Sequence, residues 1–395
     1  MDRPQPVILS ACRTPIANLL GGLSSLTAPQ LGAIVIKEAV KRAGINVVDI
    51  DEVIMGQVVQ GGCGQAPGRQ AAIFAGIPPE VVAATINKVC GSGLKAAMMA
   101  AASIKAGDGH CYVAGGMESM SNTPYVIHGA KGGFKFGHRK LEDAMILDGL
   151  WDSFNDWHMG NSAEYTAEKS GITREQQDEF ACNSQNKAIA AAEAGKFAKE
   201  IVAVEIPQRK GDPIVIDKDE TPRPGTTVEK LAKLRPAFVK GGTVTAGNAP
   251  GLNDGAAAMV VTSATYAESN GLKPLAKITG YTAAGVDPKE IFYSPIFAVR
   301  KLMEQINVDI DYFDLIEANE AFSAQALADG MELKWDWEKV NVHGGAVALG
   351  HPIGASGARV MATLIYALQD RGLKKGLATL CLGGGNAVAM SIELM

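Results

Sequence analysis

The chain has 395 residues, 47% hydrophobic and 20% charged, with 45 glycines and a formal net charge of -5. That length accommodates two or three domains, or two fused halves, and the composition excludes a disordered or fibrous chain. The charge gives no general pull toward nucleic acid or an anionic membrane, and no apolar stretch reaches the ~18 residues of a membrane-spanning helix.

In chain order, PVILSA predicts a first strand, and APQLGAIVIKEAVKRAG a helix with apolar positions every three to four residues, ending at Gly44. DEVIMGQVV reads as a strand, the Ala- and Met-rich run after Cys90 as a helix, and HCYVAGGMESM as an apolar strand ending in glycines. From about 120 to 250 the composition turns polar, through KGGFKFGHRK, the helical ITREQQDEFACNSQNKAIAAAEAG and the Pro- and charge-rich RKGDPIVIDKDETPRPG. This stretch reads as a lid, a ligand-recognition domain or an oligomer contact laid over the core. KPLAKITGYTAAG then restarts a strand, PIFAVRKLMEQINV a helix, and YFDLIEANEAFSAQ a strand leading into a helix. GASGARVMATLIYALQDRG is a small-residue turn entering a long helix, and KGLATLCLGGGNAVAMSIEL closes with strand, glycines, strand. The alternation argues for α/β architecture with central, partly parallel sheets.

CGSGLKAAMMAAASIKAG with HCYVAGGMESM and GASGARVMATLIYALQDRG with LATLCLGGGNAVAM share one plan of small-Ser-Gly, helix, apolar strand and glycines. The expected organisation is therefore a duplication with a catalytic cleft between the halves. Residues 1–119, completed by about 252–273, would form the first core half. Residues 120–251 would form an inserted loop domain for ligand recognition and oligomer contact, and 274–395 the second half.

Cys90 stands where an apolar run meets a glycine turn at a helix start, a position where the helix dipole favours thiolate and predicts a lowered pKa. Cys381, before GGG, and His351, in GHP, occupy similar glycine-rich turns. Cys12, Cys63, Cys111 and Cys182 read as buried small hydrophobes. With no CxxC spacing, the six cysteines suit reduced thiols of an intracellular protein. The start MDRPQPVILSACRTP enters a strand at once, so no targeting peptide is expected and a cytoplasmic location is. No cluster shows metal-ligand spacing.

The pieces SACRTPI, GQAPGRQAA, NKVCGSGLKA, VAGGMESMS, HMGNSAE, GTVTAGNA, LNDGAAA, EANEAFSAQ, NVHGGAVALGHPIGASGAR and ATLCLGGG run the whole length in one order. On these the chain resembles the thiolase superfamily, and most of all its short-chain, biosynthetic acetyl-CoA acetyltransferases. The resemblance implies two βαβαβαββ halves in a layered α-β-α-β-α sandwich. It also implies reversible Claisen condensation of two acetyl-CoA to acetoacetyl-CoA and CoA by a ping-pong route, with coenzyme A thioesters as substrates and no cofactor.

By the same resemblance Cys90 would be the acyl-accepting nucleophile, His351 the acceptor of its proton and Cys381 the base for the α-proton. Asn319 would hold a water at one oxyanion site, and the Cys90 and Gly383 amides would form the other. Asn319 could instead cap the following helix. Leu150, His158, Met159, Arg223, Phe238, Ala246, Ala249, Leu252 and Phe322 would line the pantetheine tunnel or flank the nucleotide. The basic tract from Lys131 to Lys140 is a solvated face or, by the resemblance, a loop linking dimers into a homotetramer.

Three positions depart from the pattern. Pro250 replaces a usual Ser and can donate no hydrogen bond, Ile291 replaces a common Met, and His343, read as structural, replaces Asn. His110, His128 and His138 suit solvated or structural roles. Competing readings are a degradative 3-ketoacyl-CoA thiolase for longer chains, a decarboxylating condensing enzyme and a silent CoA- or lipid-binding protein. The pair of cysteines argues against the second, and an intact Cys90, His351, Cys381 set against the third.

Overall fold

The computed structural model describes residues 4–395. Its first half runs β1 (Pro6–Arg13), α1 (Ala28–Ala43), β2 (Glu52–Gly56), α2 (Pro67–Phe74), β3 (Val82–Ile86), α3 (Ser92–Ala106), β4 (Cys111–Ser119) and, after a long excursion, β5 (Asn253–Ser263). The excursion carries α4 (Met159–Ser170) and α5 (Arg174–Glu193). The second half runs β6 (Ala276–Gly285), α6 (Ser294–Ile306), β7 (Leu315–Ala318), α7 (Ser323–Leu333), α8 (Ile353–Arg371), β8 (Lys375–Leu382) and β9 (Asn386–Leu394).

One sheet of ten strands contains the order β7-β8-β9-β6-β1-β5-β4-β2-β3, with the short Ala17–Asn18 strand beside β5. The duplication is explicit in this order. β2 lies parallel to β4 as β7 lies parallel to β8, and β5 and β9 return antiparallel beside them. The third strand of the second half is reduced to a single parallel bridge, Ile316 with Val340. The halves meet edge to edge where Val7 of β1 pairs with Lys277 of β6.

Helices α3 and α8 form the shared middle layer. Leu94, Ala97 and Ala101 pack against Ala358, Met361 and Ile365 and the inward faces of both half-sheets. Their crossing is close because Gly93 and Gly357 lack side chains. A Cβ on Gly93 would meet the Ala358 amide at 2.6 Å. The outer layers are built likewise, α1 burying Leu31, Val35 and Ile36, and α6 burying Ile296, Val299 and Leu302. At one end of α1, Gln30 accepts from the Thr27 amide, and at the other Gly44 takes φ 67°.

The inserted segment is tied down by Arg13 on β1. Its guanidinium is fully buried and pairs with Glu200 at 2.6 Å and, through two nitrogens, with Asp219 at 2.6 and 2.9 Å. No helix among the described residues is long and apolar enough to cross a membrane.

Candidate active site

A cavity of about 370 Å³ opens where turns from both halves meet the inserted segment, a volume typical of small-ligand sites. Cys90 enters it from the first half, and His351, Cys381 and Gly383 from the second. Leu150, His158, Met159, Phe238, Ala246, Ala249 and Leu252 come from the excursion, with Phe322 from the turn before α7. Of the expected site residues only Asn319 and Arg223 do not line it. Asn319 lies directly behind, with Nδ2 3.5 Å from His351 Nε2. Arg223 sits on an exposed turn, its amide donating to Gln185 Oε1 at 2.8 Å.

Cys90 immediately precedes Gly91, the N-cap of α3. The residue before it, Val89, has φ 48°, a left-handed conformation that is strained for a β-branched side chain. Neighbouring side chains hold the turn. Asn87 Oδ1 accepts from the Val89 amide at 2.9 Å, and Ser92 Oγ accepts from Lys88 and donates to the Val89 carbonyl. The expected lowering of the Cys90 pKa is not what this environment produces. Burial pushes the thiol up to about 12. A helix terminus is worth at most ~2 kcal/mol, and the cost of placing a thiolate in an apolar wall outweighs it. At rest Cys90 is a thiol, and acting as a nucleophile would require a base.

His351 lines the same cavity. Its amide donates to Asn253 Oδ1 at 2.8 Å, fixing the loop. Its Nδ1 is 2.7 Å from Ser356 Oγ, and that hydroxyl donates to the Pro352 carbonyl at 2.9 Å. With its own proton so used, Ser356 accepts from Nδ1–H, leaving the Nε2 lone pair as the acceptor, with the Asn319 Nδ2 donor 3.5 Å away. Burial, helped by Arg359, pushes the imidazole down to about 3, so it is neutral at rest.

Asn319 does not cap α7, whose N-cap is Phe322. It follows the last residue of β7, and Asn341 pins that residue by accepting from the Ala318 amide and donating to its carbonyl. Asn319 Oδ1 is buried without a protein partner, the condition of a group that takes a water or a ligand. Cys381, in β8, is buried, and burial together with Cys90 and Asp329 raises its thiol well above the ordinary value.

The remaining wall is aromatic. His158 stacks on Phe238 at 4.8 Å and caps α4 through Nδ1, while Phe322 stands edge-on to Phe238 at 6.2 Å. Gly160 makes this possible, since a Cβ there would enter the Phe238 ring. Ile291, Phe292 and Pro250 also line the cavity. His343 lies elsewhere, buried edge-on to Phe197 at 5.9 Å and 3.9 Å from Asp370, a structural placement. Sequence reasoning missed Val89, Asn253, Asn341 and Ser356. All four lie inside the ordered motif pieces, Val89 in NKVCGSGLKA, Asn253 in LNDGAAA, and Asn341 and Ser356 in NVHGGAVALGHPIGASGAR, which was the signal that could have found them. Among the described residues no group of three or more His, Cys, Asp or Glu converges as metal ligands.

The family model "Thiolase, N-terminal domain" matches residues 6–265 and "Thiolase, C-terminal domain" residues 272–394. The chain is 55% identical over 386 residues to an acetyl-CoA acetyltransferase of Pseudomonas aeruginosa, covering 98% of each. It is 56% identical over 387 residues to one of Cupriavidus necator, again covering 98% of each. Its fold superimposes on the crystal structure of the Bacillus anthracis acetyl-CoA acetyltransferase with a TM-score of 0.97 and 45% identity, covering 100% of this chain and 99% of that one.

Proposed function

The chain belongs to the thiolase family, and from that premise we propose that it is an acetyl-CoA acetyltransferase, interconverting two acetyl-CoA with acetoacetyl-CoA and CoA. The observation that carries the reading is the convergence of Cys90 and Cys381, from opposite halves, on one apolar cavity with His351 between the same walls. Cys90 Sγ attacks the acetyl-CoA carbonyl while its proton passes to His351 Nε2. The Cys381 thiol protonates the departing CoA thiolate, leaving acetyl-Cys90 and a Cys381 thiolate. That thiolate removes an α-proton from a second acetyl-CoA, and the enolate attacks acetyl-Cys90. Cys90 leaves as thiolate and recovers its proton from His351.

Charge developing on oxygen falls to His351 with a water on Asn319, and to the Cys90 and Gly383 amides. Pantetheine runs along His158, Phe238 and Leu252, with Arg223 available to the nucleotide at the mouth. Ile291, Phe292 and Phe322 close the space beside Cys381, which supports short acyl groups over the longer chains of degradative thiolases. The basic loop exposes Phe134 and Phe136 beside Lys135 and Arg139, supporting its use as a contact within a homotetramer; a cytoplasmic location belongs to the same proposal.

The test is CoA-dependent loss of the acetoacetyl-CoA enolate absorbance, beside 3-ketohexanoyl- and 3-ketodecanoyl-CoA. Activity confined to acetoacetyl-CoA is expected. Equal or better cleavage of the longer substrates overturns the short-chain reading, and silence on all three overturns the enzyme reading.

A further inference from the structure

The duplication gives the first half its own set of strand ends and the second half its own small-Ser-Gly turn. Cys381 lies near the end of β8, and Glu118 near the end of β4. The register places Glu118 one residue beyond the counterpart of Cys381. Asp51 holds the Cys111 amide as Asp314 holds the Lys375 amide, so Met117 opposite Ala256 corresponds to Cys381 opposite Ala387, and Glu118 corresponds to Leu382. Cys90 precedes Gly91-Ser92-Gly93, and its counterpart Gly354 precedes Ala355-Ser356-Gly357. Asn319 follows the end of β7, and by the same register its counterpart is Gly56, the last residue of β2. Beside the Gly354 amide lies the Glu118 carboxylate. It is fully buried, accepting from the Gly354 amide at 2.9 Å, the Val58 amide at 3.0 Å and the Val59 amide at 3.2 Å.

The Gly354 amide is the counterpart of the Cys90 amide, and here it is already engaged by a protein carboxylate. Gly354 must be glycine, because a Cβ would lie 2.6 Å from Glu118 Oε2 and 2.7 Å from the Met117 carbonyl.

From Glu118, bonded contacts lead to both catalytic groups. One route goes through Gly354 in the first turn of α8 to His351, three residues earlier. The other goes through Val58, whose carbonyl accepts from Asn87 Nδ2 at 3.2 Å. Asn87 Oδ1 in turn holds the strained Val89 beside Cys90. We propose that Glu118 is a positioning residue for the thiolase reaction, an internal anion that fixes the Cys90 turn and the His351 loop relative to each other. This rests on the functional reading above. Burial and Asp254 raise the carboxyl to about 7, so the three amides are also what keeps an ion there tolerable.

The experiment compares Glu118→Ala, Glu118→Gln, Asn87→Ala and the Glu118→Ala/Asn87→Ala double variant. Two readouts are used, acetoacetyl-CoA thiolysis and the rate of Cys90 alkylation by iodoacetamide. Glu118→Ala should lower kcat about 10²-fold with little change in KM, the size of effect that a small misplacement produces. Glu118→Gln keeps an acceptor for Val58 and Gly354 and should lose roughly tenfold. Because Glu118 and Asn87 act on the Cys90 turn in series, the double variant should lose far less than the product of the single losses.

Both single variants should speed Cys90 alkylation, and the double variant should speed it no further. Asn87 carries no charge, so a matching change there reports position. A folded Glu118→Ala protein with wild-type kcat, or full additivity in the cycle, overturns the proposal. If that variant does not fold, wild-type kcat and alkylation in Glu118→Gln overturn it. A wild-type protein silent in thiolysis refutes the functional reading instead, and the alkylation rates then decide the role of Glu118, unchanged rates overturning it.

Discussion

His351 Nδ1 and Ser356 Oγ lie 2.7 Å apart, across the entry into α8, and the hydroxyl's own proton is committed to the Pro352 carbonyl. This pair sets the imidazole tautomer, and with it the direction in which the neutral ring can accept a proton. Of the two cavity-lining imidazoles, His158 has its Nδ1 engaged by the Gly160 amide, which leaves His351 as the base proposed for Cys90.

Ser356→Ala should therefore leave the fold intact and lower kcat roughly 10²-fold by freeing the ring to rotate and change tautomer. Steady-state kinetics beside a thermal melt check it. Wild-type kcat would show that Pro352 and Asn253 alone hold the ring.

The raised Cys90 thiol makes a prediction opposite in sign to the helix-dipole expectation. In the free protein, alkylation of Cys90 should climb about tenfold per pH unit from roughly pH 7 to 9, because the thiolate fraction keeps growing below the thiol pKa. A plateau starting near neutrality would mean that the dipole of α3 outweighs burial. Rates followed by peptide mass spectrometry give the answer.

Gly160→Ala should disturb binding more than chemistry. The added methyl displaces the Phe238 ring and with it the His158 stack, while Cys90, His351 and Cys381 keep their contacts. KM for acetoacetyl-CoA is expected to rise with kcat little changed. An unchanged KM would remove Phe238 from the pantetheine wall.

Arg13→Met tests how the excursion is anchored. It leaves Glu200 and Asp219 buried without their cation, a loss that costs about 3–5 kcal/mol. Denaturant unfolding measures it. A cost within experimental error would mean that the carboxylates find water or take up protons on losing their partner.

Much of this was legible before any coordinates. Many strands and helices of both halves follow from apolar periodicity, as in α1 with its Gly44 stop, whereas α2, β3 and β5 were not anticipated; the repeated small-Ser-Gly turns pointed to the duplication. Ordered motifs brought Cys90, His351 and Cys381 to one site. What could not be read depends on contacts between distant segments. The sign of the Cys90 shift comes from the walls around it, not from its place at a helix start. The strain at Val89 is a backbone fact with no compositional mark. Glu118 lay inside VAGGMESM, an unremarkable strand end, until Gly354, 236 residues away, was seen to donate to it.

Acetylation is the most direct test of the two-cysteine mechanism. Wild-type protein and the Cys381→Ser variant are mixed with acetyl-CoA, quenched in acid, digested and examined by mass spectrometry, with acetoacetyl-CoA followed in parallel. Both proteins should carry one acetyl group on the peptide containing Cys90, and only the wild type should go on to make acetoacetyl-CoA. An acetyl group on Cys381 or another cysteine, or full condensation by the Cys381→Ser variant, would contradict the division of labour between the two halves.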